Sequence, residues 1–238
     1  MFNIRVALDD GHGIETSGKR TPFFDDGSFM KENEFNSAVV NIIGLILKKY
    51  NINVIYVAES SSDISLYERV KIANDSNADI YVSIHANAFG NNWNDANGFE
   101  TLIYSYRDKK VMELAKDIHN ECVNISKLKD RGIKERKDLY VLNKTKMPAV
   151  LLECGFMTNK KEAELLRSSK YRENIAVAVS KGILKYFNIK LNEGDILDIN
   201  TAKDIIKKKC NFDDNTMKYL EFYRFSESMI IRLAEAML

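Results

Sequence analysis

The sequence predicts an α/β fold: a mainly parallel, twisted sheet of about six strands flanked by helices, with a small helical unit at the C-terminus. Three observations lead there. Short apolar runs alternate with longer segments whose apolar residues recur at helical spacing. Several of the short runs are apolar throughout, as strands covered on both faces are. After residue 190 the short runs stop, and the remaining residues are helical in pattern and rich in aromatic side chains.

The elements come in a regular order. "IRVAL" (4–8) is the first strand. "ENEFNSAVVNIIGLILKKY" then sets Phe35, Val39, Ile42, Ile43, Ile46, Leu47 and Tyr50 on one helical stripe. "INVIYV" (52–57) is the second strand. "SLYERVKIAN" reads as a helix, with Ser65 and Glu68 at capping-box spacing and Leu66, Val70 and Ala73 inward. "DIYVSI" (79–84) and "FETLIYS" (99–105) are further strands. Residues 108–125 form a helix burying Val111, Leu114, Ala115, Ile118 and Cys122. "DLYVL" (138–142) and "AVLLE" (149–153) read as the last two strands, and helices near 160–168 and 170–187 close the unit.

These divisions predict a catalytic-sized domain over residues 1–190 and a helical domain over 191–238. In the second, Thr201 and Asp204 mark a helix start, Tyr219, Phe222 and Tyr223 sit at helical spacing as a core, and Ser226 caps a last helix. A unit of that size rarely folds unaided, so it is expected to dock on the main domain, on a copy of itself or on a target.

Composition excludes several classes. The chain is 45% hydrophobic and 29% charged, enough for a core and a solvated surface. Lys+Arg (35) and Asp+Glu (34) nearly cancel, which gives no electrostatic case for nucleic acid or an anionic membrane. Residues 191–238 hold seven Lys+Arg against nine Asp+Glu, which disfavours a DNA-gripping reading of the tail. Cys122, Cys154 and Cys210 form neither a disulfide framework nor a Cys-x-x-Cys zinc site, as expected of a chain folded in reducing cytoplasm. The first strand starts so near Met1 that no signal peptide is expected. No apolar run approaches the ~18 residues of a membrane span.

The chemistry gathers at strand ends. "IRVAL" runs into "DDGHG" with His12, "DIYVSI" into His85, and "AVLLE" ends on Glu153. Open α/β sheets bind ligands beyond the carboxyl ends of their strands. Two imidazoles and a carboxylate are what a catalytic zinc ion requires, with a fourth position left for water. The third ligand is sought in "KENEFN", where Glu32 and Glu34 both open the first long helix, and Glu153 is then free to move protons. Each residue taken alone has a plainer use: His12 in a turn between glycines, Glu32 favouring a helix N-terminus, Glu153 as a paired structural charge.

The stretches "ALDDGHG", "EFN" with Asn36 four residues after Glu32, "SLYERVKIAN", "DIYVSIHANA", "GFET", "DLYVL" and "PAVLLECGFMTN" resemble the zinc-dependent N-acetylmuramoyl-L-alanine amidases of the amidase-3 family, over roughly residues 2–188. The resemblance implies one zinc ion held by His12, Glu32 and His85, with Glu153 as catalytic acid/base. It selects Glu32 over Glu34 by the distance to Asn36. The implied reaction is hydrolysis of the amide joining N-acetylmuramic acid to L-alanine in bacterial peptidoglycan. A chain without a signal peptide then fits a phage endolysin released through a holin, or a bacterial lysin freeing spores from the mother cell. A zinc peptidase of the stem peptide and a non-catalytic peptidoglycan-binding module are the competing functions. The family often reads Asp-Pro-Gly-His-Gly-Gly where this chain has "DDGHGIETSGKRTP", which changes the loop between His12 and Glu32.

Weaker candidates complete the reading. Trp93 could stack on a sugar or anchor its own loop. Lys19, Arg20 and Arg131 could meet acidic groups of the substrate or be solvated surface charges. His119 reads as a histidine at the core boundary or surface, and Cys154 as a small buried hydrophobe. The tail reads as a wall-targeting or self-association element.

Overall fold

In the computed structural model, which describes residues 3–58, 63–192, 194, 196–221 and 226–238, one six-stranded sheet organises the chain. The strands are β1 (Arg5–Asp9), β2 (Asn53–Tyr56), β3 (Ile80–Asn87), β4 (Phe99–Ile103), β5 (Asp130–Glu135) and β6 (Ala149–Phe156), in the order β2-β1-β3-β6-β4-β5. β2, β1, β3 and β6 run parallel. β4 is antiparallel to β6, and β5 is parallel to β4.

Alternation along the strands gives the sheet two apolar faces. Val6, Leu8, Ile80, Val82, Ile84, Val150 and Leu152 share one core with α1 (Glu32–Lys49), α3 (Lys109–Ser126) and α6 (Ser169–Tyr186). Ala7, Tyr81, Leu102, Ala149 and Leu151 share the other with α2 (Leu66–Asp75) and α4 (Tyr140–Lys144). The helical stripe of α1 is buried as expected from Phe35 to Leu47, and so are the five inward residues of α3. Ser65 and Glu68 form the expected reciprocal cap of α2. Leu66, however, is 51% exposed: as the first residue of α2 it lies over the helix end rather than under it.

Two strand assignments need correction. Residues 138–142 are not a strand. Leu139 is the residue before α4, whose single turn buries Val141 and Leu142 on the second core. An apolar run of four residues satisfies either geometry, so its period cannot tell them apart. The actual fifth strand, "DRGIKE", has no apolar run to announce it, because it pairs only with β4 at the sheet edge and carries charge on an edge that is left partly exposed.

α5 (Lys160–Arg167) comes directly after β6, and α7 (Ile199–Cys210), α8 (Asp214–Glu221) and α9 (Ser226–Ala236) make up the tail. α7 begins earlier than expected, because Asp198 rather than Thr201 accepts from the free amides, those of Asn200 and Thr201. Ile199, Ala202, Ile206, Ile230, Ile231 and Ala234 join the first core, with α9 against α1 and α7 against α6. The tail's apolar side therefore lies on the helices that cover the sheet. Tyr219, expected in the tail's core, is 70% exposed, and Met217 is buried in its place. Phe222 and Tyr223 lie outside the described residues. No helix among the described residues is long and apolar enough to cross a membrane.

α3 and α6 approach closely at Gly182, where an added Cβ would lie 2.5 Å from the Ile118 Cα and 2.8 Å from the Asp117 carbonyl oxygen. Backbone cannot yield as a flexible side chain does. Gly182→Ala should lower stability by about 1–3 kcal/mol in urea denaturation, and an unchanged midpoint would contradict this packing.

Candidate metal centre and active site

The parallel strands β1, β3 and β6 end side by side, and the register sets His85 opposite Glu153. β1 ends on Asp9, a carboxylate sunk beneath the site. Its oxygens accept from Gly11 N (2.9 Å), Arg69 Nη1 (3.2 Å), Tyr81 Oη (2.6 Å) and Ser83 Oγ (2.9 Å). Burial alone would raise its pKa. The Arg69 guanidinium, His85 and the Tyr81 and Gly11 hydrogen bonds outweigh burial and hold the carboxyl below its usual range. Arg69 also reaches Asp63 (2.6 Å) and the Ile64 carbonyl (2.8 Å), so one guanidinium ties the end of β1 to the start of α2.

From Asp9 the chain turns sharply through Gly11, at φ +67°. A Cβ there would lie 2.5 Å from His85 Cε1 and 2.9 Å from Asn36 Nδ2. Only glycine allows both the left-handed turn and the imidazole beside it. The turn delivers His12, whose carbonyl accepts from Asn33 Nδ2 (2.6 Å) on α1.

The loop after His12 returns to the N-terminus of α1, where Glu32 is 2% exposed. Glu32 Oε1 lies 2.8 Å from His85 Nδ1 and accepts from the Ala86 amide (3.3 Å) and Asn36 Nδ2 (3.4 Å). Its Oε2 lies 3.7 Å from His12 Nε2. The two imidazoles meet edge to face, 5.3 Å between centroids. Burial works against a charge on Glu32, yet the His85 hydrogen bond and both imidazoles prevail and bring its pKa to about 2. His12 goes the other way: burial, opposed by Glu32 and aided by His85, brings it to about 4 and leaves a neutral ring with a free lone pair. Glu34, the alternative ligand, accepts from the Lys31 amide (2.9 Å) and is exposed at the helix end.

One donor atom from each of His12, Glu32 and His85 lies within 4.8 Å of the others. Two nitrogens and an ionised carboxylate suit a borderline divalent cation such as zinc, which takes N and O ligands at about 2.0–2.2 Å. Glu153 stands beside this group in a different condition. Its Oε2 is buried and has no hydrogen-bond partner among the described residues, and burial pushes its pKa up to about 8, the His85 charge only partly offsetting this. All four side chains line one cleft of about 950 Å³.

The weaker sequence candidates fall elsewhere. Trp93 donates to the Phe23 carbonyl (3.1 Å) and packs on Phe24, outside the cleft lining. Arg20 lies over Phe23 and Phe29. Arg131 donates to Glu100 (2.6 Å), itself held also by Lys134. Lys19 does line the cleft, and its carbonyl accepts from Glu32 N (2.9 Å). His119 is 4% exposed, so it belongs to the core boundary rather than the surface, with its two nitrogens on Thr101 Oγ1 and Asp130 Oδ1, each at 3.0 Å. Cys154 is buried, and burial raises its thiol pKa far above the ordinary value, as in an inert core residue. Sequence reasoning missed Arg69 and Arg136. An arginine next to Val70 on the apolar side of α2 was the available signal for the first; nothing marked the second.

The N-acetylmuramoyl-L-alanine amidase family model matches residues 6–185, three-quarters of the chain and every residue of the site. The chain belongs to that family. It is 30% identical over 211 residues to the N-acetylmuramoyl-L-alanine amidase CwlM of Bacillus licheniformis, covering 88% of this chain and 78% of the relative. It is 32% identical to the endolysin of Bacillus phage SPP1, covering 79% and 68%. The crystal structure of an N-acetylmuramoyl-L-alanine amidase from Clostridium difficile 630 superposes with a TM-score of 0.70 at 33% identity, covering 78% of this chain and 97% of that one.

Gly11→Ala should push His85 aside. Divalent-ion affinity should fall roughly 10–100-fold by isothermal titration calorimetry, and an unchanged affinity would show that Gly11 is not needed to seat the imidazole.

Proposed function

We propose that the protein is a zinc-dependent N-acetylmuramoyl-L-alanine amidase, hydrolysing the amide between N-acetylmuramic acid and L-alanine in bacterial peptidoglycan. In this reading His12, Glu32 and His85 hold one zinc ion, and Glu153 is the catalytic acid/base. The observation that carries it is the contrast between two carboxyls in one cleft: Glu32 ionised between imidazoles, and Glu153 half-buried, with its Oε2 out of solvent and without a hydrogen-bond partner among the described residues.

When bound, zinc supplies a Lewis acid that polarises the amide carbonyl and lowers the pKa of a water. The remaining work falls to the chain. Glu153 Oε2 accepts a proton from the attacking water and gives it to the departing alanine nitrogen, so one carboxyl serves both half-steps. Burial makes that carboxyl a better base than a solvated glutamate. Asn36 and the Ala86 amide hold Glu32 against rotation, and the Asp9–Arg69 pair holds the turn that presents His12.

The biological setting we favour is lysis from within, by a phage endolysin reaching the wall through a holin. Likeness to the SPP1 endolysin supports it. Mother-cell lysis is the second setting, supported by 28% identity to the sporulation-specific N-acetylmuramoyl-L-alanine amidase of Bacillus subtilis.

Digestion of purified walls should release new N-terminal alanine without new reducing sugar ends; new termini elsewhere in the stem peptide would mark a peptidase instead. Glu153→Gln should keep its metal and lose roughly 10²–10⁴ in rate, and near-full activity would remove the role assigned to Glu153. His85→Ala should lose the ion itself by elemental analysis. Full zinc occupancy in that variant would remove His85 from the ligand set.

A further inference from the structure

The cleft differs in character on the two sides of Glu153. Strand register fixes which residues lie on each side. Glu153 is level with His85 and Glu100. Toward the carboxyl end of β3 come Asn87, Gly90 and Asn91, an arm of amide side chains and open backbone. In the opposite direction come Leu151 and Leu102, paired across the sheet, with Leu139 and Val141 at the start of α4 adding to this apolar surface; the 63–69 segment brings Ile64 and Leu66 to the lining together with the polar Asp63, Ser65 and Glu68.

That apolar arm ends at a cation. The Arg136 amide donates to the Ile103 carbonyl (2.8 Å), and Ile103 pairs with Val150, three positions before Glu153. The separation along the sheet is about 10 Å, the length of two or three extended residues. Asp138 holds the guanidinium from one edge, accepting from Nε (2.9 Å) and Nη2 (2.7 Å). Nη1 makes no hydrogen bond among the described residues. The guanidinium lies within electrostatic reach of Glu153 and Glu100, on the cleft side of the turn. A two-residue turn thus presents an oriented, half-free fork at the end of an apolar trough.

The two products of the proposed reaction differ in the same way. The glycan side is uncharged near the scissile bond and dense in hydroxyl and acetamido groups. The amine side begins with an alanine methyl and continues as a peptide bearing carboxylates. Resting on the amidase reading above, we propose that the apolar arm receives the peptide and that Arg136, aimed by Asp138, binds one of its carboxylates. The amide-lined arm then takes the sugar. Arginine suits the task because its planar fork can engage a second carboxylate while the first still holds it.

The test compares soluble N-acetylmuramoyl tripeptides with free carboxylates and the same compounds with those carboxylates converted to carboxamides. The wild-type protein should prefer the free acids by roughly 10–100-fold in kcat/KM, chiefly through KM. Arg136→Gln should erase most of that preference, and Arg136→Lys should restore part of it. The wild-type comparison stands even if a variant folds poorly, and melting curves with metal content identify such a variant. Equal use of both compounds by the wild-type protein, or an undiminished preference in folded Arg136→Gln, would overturn the assignment while leaving the amidase reading intact. Failure of the metal-loaded wild-type protein to cleave either compound, or purified walls, would overturn both.

Discussion

A carboxylate that is almost wholly buried must remain charged, and the rest of the site is arranged around that demand. Glu32 sits at the start of α1 with 2% of its surface exposed, where an isolated charge would be expelled or neutralised. His85 at 2.8 Å, His12 at 3.7 Å and the Ala86 amide make the ionised form the stable one. With Glu32 itself, these groups come from three places far apart in the chain: the turn after β1, the start of α1 and the end of β3. The parallel strands and the return of α1 to their carboxyl ends are what bring them together.

The same cleft treats a second carboxyl in the opposite way. Glu153 has no hydrogen-bond donor on its Oε2 among the described residues, so desolvation outweighs the His85 charge and its proton is held to about pH 8. Pushing two carboxyls apart in proton affinity suits them to the different work proposed for them: one stays ionised at neutral pH, the other can gain and lose a proton near neutrality. Asp9, deeper still, is a third solution. With Arg69, Tyr81, Ser83 and the Gly11 amide around it, it stays ionised and serves as the floor on which the His12 turn is built.

Much of the site is legible in the sequence because it is carried by local pattern. Apolar runs ending in His12, His85 and Glu153 read as strands feeding one edge, and the choice of Glu32 over Glu34 agrees with the burial of one and exposure of the other. What failed was decided by tertiary placement. "DLYVL" and "DRGIKE" exchanged roles because a buried turn can be as apolar as a strand, while an edge strand needs no apolar run. Tyr219 faces outward because the tail covers α1 and α6 with smaller residues such as Ala202, Ile206 and Ile230. Arg131 and Arg136, five residues apart, look alike in sequence. One closes on Glu100, and the other reaches the cleft only because the chain turns at Asp138.

The central claim is that His12, Glu32 and His85 share one ion while Glu153 remains free. Anomalous diffraction at the zinc edge from crystals of the zinc-loaded protein tests it directly. The account predicts a single peak at about 2.0–2.2 Å from a nitrogen of each imidazole and an oxygen of Glu32, with the Glu153 carboxyl outside that sphere. A peak that lacks any of those three donors, or that takes Glu153 as a ligand, would contradict it.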